Sequence, residues 1–388
     1  MREVIIAMYL LGFKLLFGIF KLFPLKNKVT FVISFADNSL YIYKQLKQSN
    51  VNMQPVFLCQ SQCYKIFKDT KEKTFLFETK NVWHTINAIY HLATSKKIII
   101  DNYYGFLATI KFKEAVRCTQ IWHAVGAIKQ FGLKDPTNDT RHPRALDRFK
   151  KVYEKFDYIV VGSEFMASIY EEAFLAKKVS FLKTGVPRTD FFFQKEAIES
   201  ARQSLYEINP ALNDKKVILY APTFRKAKKN VEEISLDLAR IYEALKDEYV
   251  LILRLHPKVK SQINYNNLYP GFVFNYSGYP TINDLLVITD ILISDYSSIP
   301  MEYAILGRKM IFYAYDLEQY MQYNGFWEDY EAVMPGPVVK TTDRLIDAIL
   351  DGKTDVDKIA CFAAKWNEYS TGNSSMLLVE KLFYDSKN

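Results

Sequence analysis

Short runs of consecutive apolar residues, each bounded by turn formers, alternate along this chain with longer segments whose apolar positions recur at helical spacing. An uninterrupted apolar run reads as a strand buried on both faces, and regular alternation with helices predicts parallel α/β sheets. Strands are predicted over 29–34, 55–59, 97–101, 119–123, 158–162 and 179–183, then over 217–222, 250–255, 272–275, 291–295 and 310–314. Helices are predicted over 39–48, 82–94, 144–156, 164–173, 235–246, 282–289, 299–306 and 342–350. The alternation restarts after a polar, helix-prone link at 193–214, so two Rossmann-like domains are expected, 29–195 and 196–388, with a separate segment 1–28 before them. Open parallel sheets bind ligands beyond the carboxyl ends of their strands, and the two domains are expected to face each other across a cleft. No Gly-x-Gly-x-x-Gly follows the first strand and no Gly-x4-Gly-Lys-[Ser/Thr] occurs, which argues against dinucleotide binding and P-loop chemistry.

Segment 1–28 breaks the pattern. Residues 4–20 are nearly all apolar, yet Lys14 interrupts them and Lys21, Lys26 and Lys28 follow, leaving an uninterrupted run too short to span a bilayer of roughly 30 Å. Only Arg2, beside Glu3, precedes the run, and no small-x-small site follows Phe20, which disfavours a signal peptide. Lys14 and Lys21 share one helix face and leave Ile6, Leu10, Phe13, Phe17 and Phe20 on the other. A helix lying in a membrane interface is therefore expected, against the alternative of an ordinary helix packed on the first domain.

Composition adds two bounds. At 388 residues with 49% hydrophobic and 15% aromatic content the chain can fill two cores. Its 51 Lys and Arg against 43 Asp and Glu give a formal charge of +8, a moderate excess that favours an anionic partner such as a phosphorylated substrate or an anionic membrane face. The four cysteines, Cys59, Cys63, Cys118 and Cys361, complete no zinc set and read as reduced core residues. Asp355 and Asp357 have D-x-D spacing but lie far from any strand end, so no metal site is expected there.

The candidate chemistry sits where strands end. Ser294-Asp295-Tyr296-Ser297-Ser298 closes one strand and opens the helix predicted from Ile299, a place where backbone N–H groups and two hydroxyls can meet a phosphate. Glu302, one turn on, could accept from a sugar hydroxyl or simply complement the helix dipole. His123, at the end of the strand predicted over 119–123, could take a proton from an attacking hydroxyl. Arg254 and His256, two residues apart on an extended segment, would point the same way and could clamp a diphosphate. Tyr220-Ala221-Pro222-Thr223-Phe224-Arg225 and Lys183-Thr184-Gly185-Val186-Pro187-Arg188 leave other strands with turn-setting prolines and polar groups. His84, His91 and His142 lack partner spacing and read as structural or surface residues. Together these clusters point to a nucleotide-activated substrate.

The runs 122–132 (WHAVGAIKQFG), 185–188 (GVPR), 220–225 (YAPTFR), 253–257 (LRLHP) and 294–320 (SDYSSIPMEYAILGRKMIFYAYDLEQY) resemble, in order and over roughly residues 95–350, the CDP-glycerol glycerophosphotransferases of teichoic acid synthesis. The resemblance implies a GT-B-like fold and a transferase of cell-wall biogenesis that passes glycerol phosphate from CDP-glycerol to a lipid-linked acceptor, releasing CMP, with no further cofactor and no nucleic-acid partner. It implies a peripheral enzyme on the cytoplasmic face of the cell membrane, against an anionic lipid surface. It places the catalytic histidines on His123 and His256, and the CDP-glycerol contacts on Arg188, Pro222, Thr223, Arg254, Ser297, Ser298 and Glu302, where other members carry Asp. Polymerising members tend to read Trp-His-Gly-Thr-Pro-Leu-Lys-Lys, whereas 124–129 here is Ala-Val-Gly-Ala-Ile-Lys. With Asp101-Asn102-Tyr103-Tyr104 upstream, the chain looks more like members that prime the polymer on the undecaprenyl-diphosphate-linked ManNAc-GlcNAc disaccharide. Second-unit transfer, polymerisation, a GT-B glycosyltransferase using a UDP-sugar and a non-catalytic wall-synthesis scaffold stand as alternatives.

Overall fold

The computed structural model describes residues 2–176, 178–225, 234–256, 259 and 263–384; Pro257 of the Leu-Arg-Leu-His-Pro run lies outside them. The chain divides into two compact units, one of Met1–Val125, Phe131–Asp190 and Glu368–Asn388, the other of Gly126–Gln130 and Phe191–Asn367.

Unit 1 is built on β1 (Lys26–Ile33), β2 (Gln54–Cys59), β3 (Lys73–Leu76), β4 (Ser95–Ile100), β5 (Arg117–Gln120), β6 (Tyr158–Val160) and β7 (Ser180–Leu182), in the order β3-β2-β1-β4-β5-β6-β7. Every pairing is parallel. Unit 2 carries β8 (Lys216–Tyr220), β9 (Tyr249–Leu253), β10 (Val273–Asn275), β11 (Ile291–Ser294), β12 (Lys309–Tyr313) and β13 (Val338–Val339), also all parallel, in the order β10-β9-β8-β11-β12-β13. The central strands are closed to solvent on both faces, which is why they read as solid apolar runs: Val29, Phe31, Val32 and Ile33 in β1 and Val250 to Leu253 in β9 are all 0% exposed. This is the doubly wound α/β architecture expected from the alternation. The edge strands β3, Lys-Thr-Phe-Leu, and β13, two half-buried valines, were not predicted, because neither forms the solid apolar run that marks the central strands.

The C-terminal segment departs from the predicted boundary. Residues 368–384, expected in the second domain, return to unit 1. Tyr369 N–H donates to Gly162 O (2.8 Å), and the Ser374 and Ser375 N–H groups donate to the Asp190 carboxylate (2.7 and 2.8 Å). Leu378, Val379 and Leu382 then join the core that contains Phe31 and Phe57. Gly185 shows how closely the returning chain approaches: at φ +79°, a Cβ there would meet Ser374 Oγ at 2.3 Å and Tyr369 O at 2.5 Å.

The N-terminal helix, Arg2–Phe20, also differs from expectation. The face reserved for lipid packs on protein instead: Leu10, Phe13 and Phe17 are buried, Phe13 stacks on Phe106 at 4.8 Å, and Phe20 meets Tyr90 edge-on at 5.6 Å. Glu3 pairs with Arg148 at 3.2 Å. The opposite face is apolar too and bare: Ile5, Met8, Leu11, Leu15 and Ile19 are exposed. A helix apolar nearly all round carries no periodicity that says which side meets the protein. Its segment Glu3–Phe20, with mean hydropathy 2.0, is by length and composition alone sufficient to cross a membrane. Lys28, grouped above with the basic residues that follow the helix, is buried in β1, its Nζ against Thr94 Oγ1 (2.7 Å) and His91 Nδ1 (2.9 Å). Desolvation, with Lys26 and Lys73 nearby, pushes its pKa down to about 7.

Candidate active site

In unit 1, β5 stops at Gln120, and Trp122 takes a left-handed backbone (φ 51°), so His123 lies in the loop after the strand and not in the strand predicted over 119–123. The local bonds explain the stop. Gln120 Oε1 accepts from the Trp122 N–H (2.9 Å) while its Nε2 donates to Asn102 O (3.1 Å), and Asn38 Nδ2 donates to Trp122 O (3.1 Å). The His123 ring lies between Phe35 (centroids 4.3 Å, 20°) and Trp122 (4.5 Å, 29°), and its Nδ1 is 3.1 Å from Asp101 O. Burial pushes the imidazole down to about 4, and the Arg188 charge works in the same direction, so the ring is neutral at ordinary pH.

Arg188, expected on the nucleotide, is buried, and its Nη1 donates to His123 O (2.9 Å) and reaches Asp37 (3.5 Å). Its backbone N–H donates to Asn38 Oδ1 (3.1 Å). Arg188 thus holds the main chain of the histidine loop.

In unit 2 the loops after β8 and β11 are tied by one ion cluster. Arg225 donates from Nε to Asp316 Oδ2 (2.6 Å) and from Nη2 to Asp316 Oδ1 (3.0 Å), and Nη2 also meets Asp295 Oδ2 (2.9 Å). Its Nη1 donates to Thr223 O (2.7 Å), and the Thr223 N–H donates to Asp295 Oδ1 (2.8 Å). Tyr296, Tyr315 and Tyr320 surround the guanidinium, with centroids 4.9, 5.4 and 5.0 Å away. Burial alone would lower the Arg225 pKa, but the Asp316 and Asp295 carboxylates outweigh it and hold the group above the usual guanidinium value. Although Arg225, Asp295, Tyr296 and Asp316 stand inside the motifs, sequence reasoning gave them no role. An arginine two residues beyond a strand-end threonine was the available signal.

Beside this cluster is a cavity of about 40 Å³ whose lining includes Pro222, Thr223, Phe224, Leu255 and His256. The Thr223 hydroxyl is buried there without a hydrogen-bond partner among the described residues. His256 is exposed, its ring 5.2 Å from Phe224. Thr223, Pro222 and His256 are therefore brought together.

The other expected contacts differ in detail. β9 ends at Leu253, so Arg254 and His256 are not on a regular strand, and Arg254 Nη1 donates to three carbonyls, Tyr276 O (2.8 Å), Ser277 O (2.8 Å) and Tyr279 O (2.6 Å). That nitrogen organises the loop after β10. Ser297 and Ser298 are half-buried, and Ser297 Oγ accepts from the Ile299 N–H (3.2 Å). The helix they open, Ile299–Tyr303, has five residues before a 3₁₀ turn, so its dipole is weak, and Glu302 is buried (1% exposed). Among the described residues no group of three or more His, Cys, Asp or Glu side chains gathers as a metal site would.

Two Rossmann-like units with histidines in the loops where strands end have the architecture of a group-transfer enzyme. Residues 16–384 match the model of the CDP-Glycerol:Poly(glycerophosphate) glycerophosphotransferase family. The chain belongs to that family and is a transferase. It is 38% identical to the teichoic acid glycerol-phosphate primase of Bacillus subtilis (strain 168), over 91% of each chain, and 35% identical to that of Bacillus spizizenii, over 92% of each. Among solved structures, the wall teichoic acid polymerase TagF, in a variant soaked with CDPG, matches with a TM-score of 0.78 at 23% identity, covering 99% of this chain and 97% of that one.

Proposed function

We propose that this transferase moves glycerol phosphate from CDP-glycerol to the undecaprenyl-diphosphate-linked ManNAc-GlcNAc disaccharide, the priming step of wall teichoic acid synthesis. The observation that carries the reading is the reciprocal match, over nine-tenths of both chains, to two glycerol-phosphate primases at 38% and 35% identity. A poly(glycerol phosphate) polymerase of Bacillus spizizenii matches at 28%. In the proposed reaction the acceptor hydroxyl attacks the β-phosphorus of CDP-glycerol. A new P–O bond forms to the sugar, the bond from that phosphorus to the bridging oxygen breaks, and CMP leaves with the electron pair. His123, neutral and open at Nε2, takes the hydroxyl proton. Thr223 and His256 serve the donor, with Ser297 and Ser298 contributing hydroxyls. Such a transfer is driven by positioning and charge stabilisation.

The test is to incubate the purified protein with CDP-glycerol and a soluble analogue of the lipid-linked disaccharide, following CMP release and product mass. One added glycerol phosphate per acceptor is the expected result. A ladder of products would identify a polymerase, and UMP release from a UDP-sugar without CMP release from CDP-glycerol would overturn the reading.

The acceptor class also carries a proposal about place. The bare face of the N-terminal helix, with Met8, Leu11, Leu15 and Ile19 outward, rests in the cytoplasmic leaflet while Leu10, Phe13 and Phe17 hold the helix to unit 1. A spanning helix would have to give up those protein contacts. Leu11→Glu, Leu15→Glu and Ile19→Glu together are expected to cut the fraction that floats with anionic phospholipid vesicles about tenfold and to spare activity on a soluble acceptor, since each apolar side chain kept from water contributes up to about 1.5–3 kcal/mol. Unchanged flotation would remove this face as the anchor.

A further inference from the structure

The proposed base has a second partner that no motif assigns. Asp101, directly after β4, is completely buried, and its carboxylate accepts from the Ser34 N–H (2.9 Å to each oxygen), the Phe35 N–H (2.7 Å) and the Tyr104 hydroxyl (2.8 Å). Tyr104 also bonds Ser34 Oγ (2.8 Å), so the turn after β1 is fixed to the end of β4 from two sides. That turn carries Phe35, whose ring covers one face of His123. The main-chain carbonyl of the same Asp101 meets His123 Nδ1. One residue therefore governs both an edge and a face of the imidazole.

We propose that Asp101 is the positioning residue of His123: its carboxylate holds the Phe35 turn against the ring while its main-chain carbonyl accepts a hydrogen bond from Nδ1–H, so the base is presented as a single tautomer with Nε2 turned to the acceptor hydroxyl. A carbonyl can only accept, so the nitrogen facing it carries the hydrogen. Burial pushes the Asp101 carboxyl up to about 7, while the N–H and O–H donors around it favour the ionised form. The charge bearing on the imidazole is that of Arg188 from the Pro187–Phe193 turn, which contacts Asp37 of the Ala36–Gln48 helix, while Asp101, directly after β4, acts on the ring through its main-chain carbonyl.

Asp101→Asn keeps the shape, but in either amide orientation its NH₂ stands against the Ser34 N–H, which lies 2.9 Å from both carboxylate oxygens, and this loosens the turn. The base role rests on the proposed function, but the tautomer does not, and the experiment separates them. With ¹⁵N-histidine labelling and the His123→Ala spectrum as assignment, the wild-type ring is expected as the Nδ1–H tautomer, and Asp101→Asn as a mixture. In the transfer assay the variant is expected to lose about 10- to 100-fold in kcat with the KM for CDP-glycerol within about twofold, the scale of a misplaced base. The acid limb of kcat/KM is expected to move up toward the ordinary histidine range as water reaches the ring. Tyr104→Phe, which removes one donor and no packing, should move the same readouts by less and covers the case in which Asp101→Asn fails to fold. An Nδ1–H signal and acid limb unchanged in the folded variant, or unchanged in Tyr104→Phe where only that variant folds, would overturn the inference. The wild-type tautomer in an enzyme inert toward CDP-glycerol would overturn the proposed function alone.

Discussion

His123→Ala is expected to lower turnover about a hundredfold or more with the fold intact, because a positioned general base contributes on that scale. The ring is half-buried, so its loss opens a gap between Phe35 and Trp122 without stripping either unit of its core. A second signature follows from the depressed pKa. With a folded value near 4 and an ordinary value near 6.5, the unfolded chain binds more protons between those limits, so this group's contribution makes the protein less stable as pH falls through that window. The alanine variant should therefore lose part of the wild type's acid sensitivity in urea titrations at pH 5 and pH 7. Near wild-type turnover would remove His123 from the mechanism, and an unchanged pH dependence of stability would show that the ring does not titrate as its surroundings dictate.

The sheets were legible from sequence because central parallel strands are buried on both faces, and β1, β8, β9, β11 and β12 stand out as apolar runs at nearly their observed positions. The histidines were legible because they sit where those runs end. Sequence could not show what holds them. Gln120, bonded to Trp122 and Asn102, and the left-handed Trp122 end β5 three residues early, and the Asp101 link between the turn after β1 and the end of β4 joins residues 67 positions apart, a relation that no local pattern encodes. The N-terminal helix shows a different limit: with apolar residues on both faces, its moment did not distinguish the side that meets Phe106 and Tyr90 from the side left bare. Likewise Arg254 carried the right charge for a diphosphate, but Tyr276, Ser277 and Tyr279 supply carbonyls that claim one of its nitrogens.

The largest stability effect is expected at Arg225. Arg225→Met would leave Asp295, 1% exposed, and Asp316 without their shared cation inside a ring of three tyrosines. Removing one partner of a buried ion cluster costs about 3–5 kcal/mol, because the remaining charges stay desolvated and here also repel one another. Urea unfolding followed by circular dichroism should show that loss. Arg225→Lys keeps the charge but lacks the planar fork that meets Asp316 through two nitrogens and Thr223 O through a third, so it should recover only part of the stability. Donor binding should fall in both variants, since Thr223 is held by Arg225 at its carbonyl and by Asp295 at its N–H. A methionine variant within about 0.5 kcal/mol of wild type, the usual range for a surface change, would show that the two carboxylates find other partners and that the loops after β8 and β11 do not depend on this arginine.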